Sequence, residues 1–201
     1  MHLRNFIAAV VLAVLAACGK VPALPALGVN DTVLAFGDSL THGTGASPTQ
    51  AYPAQLAALI GRKVINEGVP GEISADGLKR LPEVLEEHQP KLLILCHGGN
   101  DFLRKLGDDA AAGNVRAMIR LVQSKGIAVV LMATPKPGLS LTPPKFYAEI
   151  AKEFALPLED GVLAEVLTDN SLKSDLVHPN AQGYARMAEA LAKLLKKAKA
   201  I

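Results

Sequence analysis

Cysteine is scarce in this chain. Cys18 and Cys96 are the only two in 201 residues, so at most one bridge can form, and neither a disulfide framework nor zinc knuckles built from paired CxxC motifs can be made. Aromatic residues are scarce too, at 4%, and neither charge sign dominates: Lys plus Arg number 21 against 19 Asp plus Glu, a formal charge of +2. With no basic block before the last turn of the chain, there is no electrostatic footprint for a polyanion, and nucleic acid is excluded as the main partner. The apolar run at residues 6–17 is 12 residues long, short of the about 20 that cross a hydrocarbon core. No repeat recurs at a period of about 20 to 50 residues. What is present, 50% hydrophobic and 20% charged residues, is the mix of one compact α/β or α-rich domain, which rules out disorder, collagen and a coiled coil.

The first residues read as an export signal and not as fold: Arg4, then the uncharged run 6–17, then Leu15-Ala16-Ala17-Cys18-Gly19. The Leu-Ala-Ala-Cys stretch resembles a bacterial lipobox. That resemblance implies a signal peptide over 1–17, a diacylglycerylated Cys18 as the new N-terminus, and a membrane tether. Gly19 after the cysteine implies sorting to the outer membrane, facing the periplasm. Residues 18–30, with Pro22, Pro25 and Gly28, are expected to be a spacer, and 31–201 the folded domain.

Within the domain, β-rich or apolar runs alternate with helical patterns. Strands are expected over 32–36, 63–66, 92–96 and 127–133, and helices over 52–60, 75–88, 114–124, 145–154 and 181–197. Such alternation predicts an α/β architecture, a parallel sheet with helices on both faces. The Pro-dense stretch 134–144 is a loop inside the domain.

The first strand runs into Gly37-Asp38-Ser39-Leu40. A serine at the carboxyl end of a strand stands where open α/β sheets bind ligands, and Gly37 is expected to let the backbone turn sharply there. On its own the tetrapeptide is equally a helix cap. A nucleophilic serine needs a base and a group that orients the base. Of the five histidines, His2 leaves with the signal and His88 sits on a polar helix face; His42 and His97 lie near strand ends but lack an acid at an orienting spacing. His178 has Asp175 three residues before it and Pro179 after it. The carboxylate can hold the Nδ1 proton and leave Nε2 free for the serine; the alternative is a helix-entry cap around Asp175. Donors for a developing oxyanion are available after the second strand, in Gly68-Val69-Pro70-Gly71, and after the third, in Gly98-Gly99-Asn100-Asp101.

Together, Gly37-Asp38-Ser39-Leu40, Gly71, Gly98-Gly99-Asn100-Asp101 and Asp175-Leu176-Val177-His178 resemble the four blocks of the SGNH, or GDSL, hydrolase superfamily, in order, over about residues 32–195. Gly77-Leu78-Lys79-Arg80-Leu81-Pro82 and His88-Gln89-Pro90 resemble its bacterial periplasmic thioesterase I/lysophospholipase/arylesterase branch. The resemblance implies a flavodoxin-like three-layer sandwich with about five parallel strands. It also implies Ser39 as nucleophile, His178 as general base and acid, Asp175 as its orienter, and an oxyanion hole from the Ser39 and Gly71 amides and the Asn100 side chain. The lipobox departs from the soluble members of that branch.

Other chemistries fit poorly. Pro48 breaks a GxGxxG pattern begun at Gly43. The acid pairs Asp108-Asp109 and Glu86-Glu87 are adjacent in sequence and diverge. Cys96 reads as a small buried hydrophobe, with no metal or cofactor site expected. Phe102, Leu103, Leu139 and Leu141 are expected to line an apolar groove beside Ser39. A serine esterase acting on acyl esters, thioesters or lysophospholipids is the first reading, with small-molecule or lipid esters as partners and a monomer expected. An O-acetylesterase acting on carbohydrate or peptidoglycan would use the same residues, and a binding lipoprotein would use none of them.

Overall fold

The computed structural model describes residues 21–138 and 141–201. The export segment, Cys18 and Leu139 lie outside the described residues. The chain begins with β1 (Thr32–Gly37), α1 (Ser39–His42), α2 (Tyr52–Ile60), β2 (Lys63–Gly68), α3 (Ser74–His88), β3 (Leu92–Cys96) and α4 (Gly99–Leu103). It continues with α5 (Asp108–Ser124), β4 (Ala128–Met132), α6 (Phe146–Glu153), β5 (Leu158–Glu159), α7 (Val162–Thr168) and α8 (Ala181–Lys197). The five strands are parallel in the order β2-β1-β3-β4-β5.

Because parallel strands are covered on both faces, their side chains alternate between two apolar layers. Val33 and Ala35 of β1 and Leu92 and Ile94 of β3 pack with α2, α7 and α8, whose Leu56, Val166 and Leu191 are fully buried. Leu34 and Phe36 of β1 and Leu93 and Leu95 of β3 pack with α3, α5 and α6, through residues such as Leu81, Met118 and Ile150. Each fully buried Leu or Ile contributes about 1.5–3 kcal/mol, so these two layers hold the three-layer sandwich together.

Register positions the site. Gly37, the last residue of β1, lies opposite Gly68 of β2 on one side and Cys96 of β3 on the other, so three loops leave the sheet at one level. Gly37 is not among the glycines with positive φ, so close packing is what requires glycine there. A Cβ there would collide with the Cys96 carbonyl oxygen and the Thr41 hydroxyl. Gly37→Ala is therefore expected to cost about 1–3 kcal/mol in chemical denaturation. Gly113→Ala, in open space within α5, is expected to gain roughly 0.5–1 kcal/mol in the same measurement.

Part of the expected spacer belongs to the folded unit. The Leu24 and Leu27 amides donate to Ala198 and Ala200 carbonyls, both at 2.8 Å, and Leu27 is buried. Helix α5 starts six residues before the apolar periodicity does, since Asp108 and Asp109 suit the positive N-terminal end of the helix.

Candidate active site

Ser39 opens α1, and Asp38 caps that helix by accepting the Leu40 amide at 3.0 Å. The Asp38 side chain, 2% exposed, also accepts the Asn100 carboxamide Nδ2 at 3.3 Å. Across the cleft, His178 Nε2 stands 2.9 Å from Ser39 Oγ, and His178 Nδ1 stands 2.7 Å from Asp175 Oδ2. A carboxylate can only accept, so the ring proton lies on Nδ1, and the Ser39 hydroxyl donates to Nε2. The loop that carries this pair is tied locally. Asp175 Oδ1 accepts the Val177 and His178 amides, both at 2.8 Å, and the Ser174 amide donates to the His178 carbonyl at 3.0 Å.

Burial acts to raise the Asp175 carboxyl, but the Val177 amide, the His178 ring and the His178 amide outweigh it and hold the carboxyl below its ordinary value. It therefore stays charged at neutral pH, as a partner for an imidazolium must. Asn180, not Asp175, caps α8, accepting the Gln182 and Gly183 amides at 3.0 and 3.1 Å. The helix-entry alternative for Asp175 thus falls to Asn180.

Gly71 lies in the turn after β2. Pro70 and Gly71 are its central residues, the Glu72 amide closes it on the Val69 carbonyl at 3.1 Å, and Gly71 has φ +78°. That conformation with Pro in front is a type II turn, in which glycine is favoured. Asn100 is the second residue of the short helix α4, which follows Gly98, whose φ of +117° again favours glycine. Ser39, Gly71, Asn100 and His178 all line a cleft of about 640 Å³, with Leu40, Leu103, Leu141, Leu167, Leu176 and Val177 on its walls.

Of the expected groove residues, Leu103 and Leu141 therefore line the cleft. Phe102 does not: it is 9% exposed and packs in the core, its ring centroid 6.2 Å from that of Phe146. Successive residues on a helical turn point about 100° apart, so Leu103 faces the cleft and Phe102 the interior. His42 is exposed, and His88 Nε2 lies 2.9 Å from Glu67. His97 is fully buried against Glu72 at 3.0 Å. Cys96 is buried as expected, and burial pushes its thiol far above the ordinary range.

Three polar residues beside the site were given no role from the sequence. Asp101, 1% exposed, accepts the Ser74 amide at 2.8 Å and the Ser74 hydroxyl at 2.6 Å, pinning the start of α3 to the loop after β3. Arg104 donates to the Gly71 carbonyl at 2.7 Å. Glu72 accepts both Arg80 and His97. Burial acts to raise the Glu72 carboxyl, but the hydrogen bonds from His97 and Arg80 and the Arg80 charge bring it down to about 2. A carboxyl lowered on folding stabilises the fold above its ordinary value of 4.5. That contribution is lost as the pH falls toward about 2.

Known proteins resemble this chain over most of its length. Residues 35–186 match the GDSL-like Lipase/Acylhydrolase family. The chain is 32% identical over 174 residues to "Thioesterase 1/protease 1/lysophospholipase L1" of Escherichia coli K12, covering 83% of this chain and 84% of that protein. It is 29% identical to an "Arylesterase" of Vibrio mimicus, covering 84% and 90% of the two. Among solved structures, AlinE4, described as an SGNH-hydrolase family esterase, superposes with a TM-score of 0.67 at 32% identity, covering 86% of this chain and 98% of that one. With the family matched over most of the chain and the five-stranded fold shared, the chain belongs to the GDSL-like lipase/acylhydrolase family and is an ester hydrolase.

Proposed function

We propose that Ser39 is the nucleophile of a serine esterase of the thioesterase/arylesterase type, and that its preferred substrates carry medium-length acyl chains. The observation that carries this reading is the aligned set Ser39 Oγ, His178 and Asp175, at 2.9 and 2.7 Å, opening into an apolar cleft.

In this mechanism Ser39 Oγ attacks the acyl carbonyl carbon while its proton passes to His178 Nε2, and the carbonyl oxygen becomes an oxyanion. Asp175 stabilises the imidazolium that forms. The Ser39 and Gly71 amides and the Asn100 carboxamide take the oxyanion's charge. Collapse of the intermediate breaks the ester or thioester bond, and the proton on Nε2 goes to the leaving alcohol or thiol. Water then attacks the acyl-enzyme by the same route, restoring Ser39 and releasing the acid.

Leu103, Leu141, Leu167 and Leu176 on the cleft walls are the reason for the chain-length preference. Desolvating an acyl chain gains about 0.8 kcal/mol per methylene, roughly fourfold per carbon until the cleft ends. Accordingly kcat/KM is expected to rise from p-nitrophenyl acetate through the octanoate, and Leu141→Ser to flatten that rise while sparing the acetate. Wild-type preference for acetate over octanoate would move the reading to an O-acetylesterase.

We also propose that Cys18 carries the lipid and tethers a monomeric enzyme in the cell envelope. The sequence pattern at 15–19 supports this. Leu24 and Leu27 dock at the carboxyl end of α8, whose amino end follows the cleft-lining His178 by three residues, and 17 residues of helix span about 25 Å. The cleft of a tethered enzyme would thus stand about a helix length from Leu24 and Leu27. Cys18→Ala is expected to release the protein into the soluble fraction with ester hydrolysis unchanged. A mature wild-type protein whose mass lacks added diacylglycerol would refute the tether.

A further inference from the structure

The loops after β2 and β3 carry Gly71 and Asn100, and they flank the loop of Ser39 because β1 lies between β2 and β3 in the sheet. Beside the Arg104 contact to the Gly71 carbonyl and the Asp101 contacts to Ser74, Glu72 joins them. The Glu72 side chain is 7% exposed, and its two carboxylate oxygens accept Arg80 Nε and Nη2, both at 2.9 Å. Oε2 also faces His97 Nε2 at 3.0 Å, so His97 carries its proton there and donates it. His97 directly precedes Gly98-Gly99-Asn100 at the end of β3, so this bond ties the β2 loop to the β3 loop. On its backbone, Glu72 accepts the Asn100 Nδ2 amide at 3.0 Å through its carbonyl oxygen.

The two ends of Glu72 therefore act on two different donors. Its carboxylate fixes the turn that carries Gly71, which lines the cleft, and its carbonyl takes one hydrogen of the Asn100 carboxamide. The second carboxamide hydrogen faces Asp38 at the longer distance of 3.3 Å, and that is the hydrogen an oxyanion can claim. The surroundings are shaped around the tie. Gly77 of α3 has no side chain because a Cβ would strike His97 Nε2 and come within 3.1 Å of Glu72 Oε2. Arg80 is itself held by the Glu67 carboxylate at 3.2 Å and the Glu67 carbonyl at 3.1 Å, with its guanidinium 4.3 Å from the centre of the Phe36 ring.

We propose that Glu72 is a positioning residue for ester hydrolysis, holding the Gly71 amide and the Asn100 carboxamide in one geometry across the end of β1. The proposal rests on the reading of Gly71 and Asn100 as oxyanion donors. Removing the tie should act on the transition state, because the charge that the donors meet develops only there. Misplacing a reacting or stabilising group by about 1 Å costs up to about 10²-fold.

The test uses the mature domain and p-nitrophenyl butyrate, with kcat expressed per active site titrated by a p-nitrophenyl alkylphosphonate. Glu72→Gln keeps the shape but cannot accept Arg80 on both oxygens and His97 as well, and it is expected to lower kcat about 10- to 50-fold with KM within about threefold. Arg80→Lys loses the two-point contact and is expected to lower kcat about 3- to 10-fold; it provides the measurement if Glu72→Gln does not fold. In combination with Asn100→Ala, each substitution is expected to cost less than it does alone, because the share of its effect that runs through Asn100 is already lost and only the share through Gly71 remains. A merely structural role would lower melting temperature and titrated sites but leave kcat per site alone. That result, or full multiplication with Asn100→Ala, overturns the proposal while leaving the oxyanion reading in place. An Asn100→Ala enzyme with unchanged kcat overturns both.

Discussion

Replacing Ser39 with alanine is expected to lower kcat by at least about 10³-fold and leave the fold intact. The substitution removes one oxygen, whose hydrogen bond is to His178 Nε2 at 2.9 Å. The rest of the machinery stays, since the Asp175 contacts to the His178 ring and amide do not involve Ser39, and neither does the cap from Asp38 to Leu40. Residual turnover should come from cleft binding and oxyanion donors acting on water, as when a catalytic nucleophile is deleted elsewhere. Circular dichroism and the denaturation midpoint should match the parent within about 0.5 kcal/mol, the range for a substitution away from the core. Phosphonate labelling should be abolished. Turnover within tenfold of the parent, or retained labelling, would move the nucleophile elsewhere.

The parts of this site that sequence made legible are those whose chemistry is local. Asp175 and His178 lie three residues apart, so the pair could be read without knowing the fold, and its partner Ser39 was marked by its place after an apolar strand. Strands such as Leu92–Cys96 were legible because burial on both faces leaves an uninterrupted apolar run. What stayed hidden depends on distant contacts. Glu72 meets Arg80 from α3 and His97 just beyond β3, so no single helix or strand carries the contact. Phe102 and Leu103 look alike as neighbours, yet the step of about 100° between successive helical residues sends one to the core and the other to the cleft. Strand β5 has two residues and α7 seven, too short for a period to stand out against loop.

Asn100→Ala carries the second large effect, a fall of about 10² to 10³ in kcat with little change in KM. The split between the two constants follows from timing. An ester carbonyl in the ground state is a weak acceptor, and the carboxamide gains most when that oxygen becomes negative, so the loss should fall on the transition state. The side chain is also part of the scaffold, donating to Asp38 at 3.3 Å and to the Glu72 carbonyl at 3.0 Å. Asp38 is 2% exposed, and burial pushes its carboxyl up despite the opposing pull of His97, the Leu40 amide and His178. Removing a donor from such an acceptor costs about 1–3 kcal/mol of stability, so Asn100→Ala should also lower the unfolding midpoint. The two effects separate when kcat is taken per titrated site at a temperature where the variant is fully folded. If the loss in turnover disappears under those conditions, Asn100 is scaffold alone. If it appears in KM instead, Asn100 positions the substrate, and the Ser39 and Gly71 amides are left to meet the oxyanion.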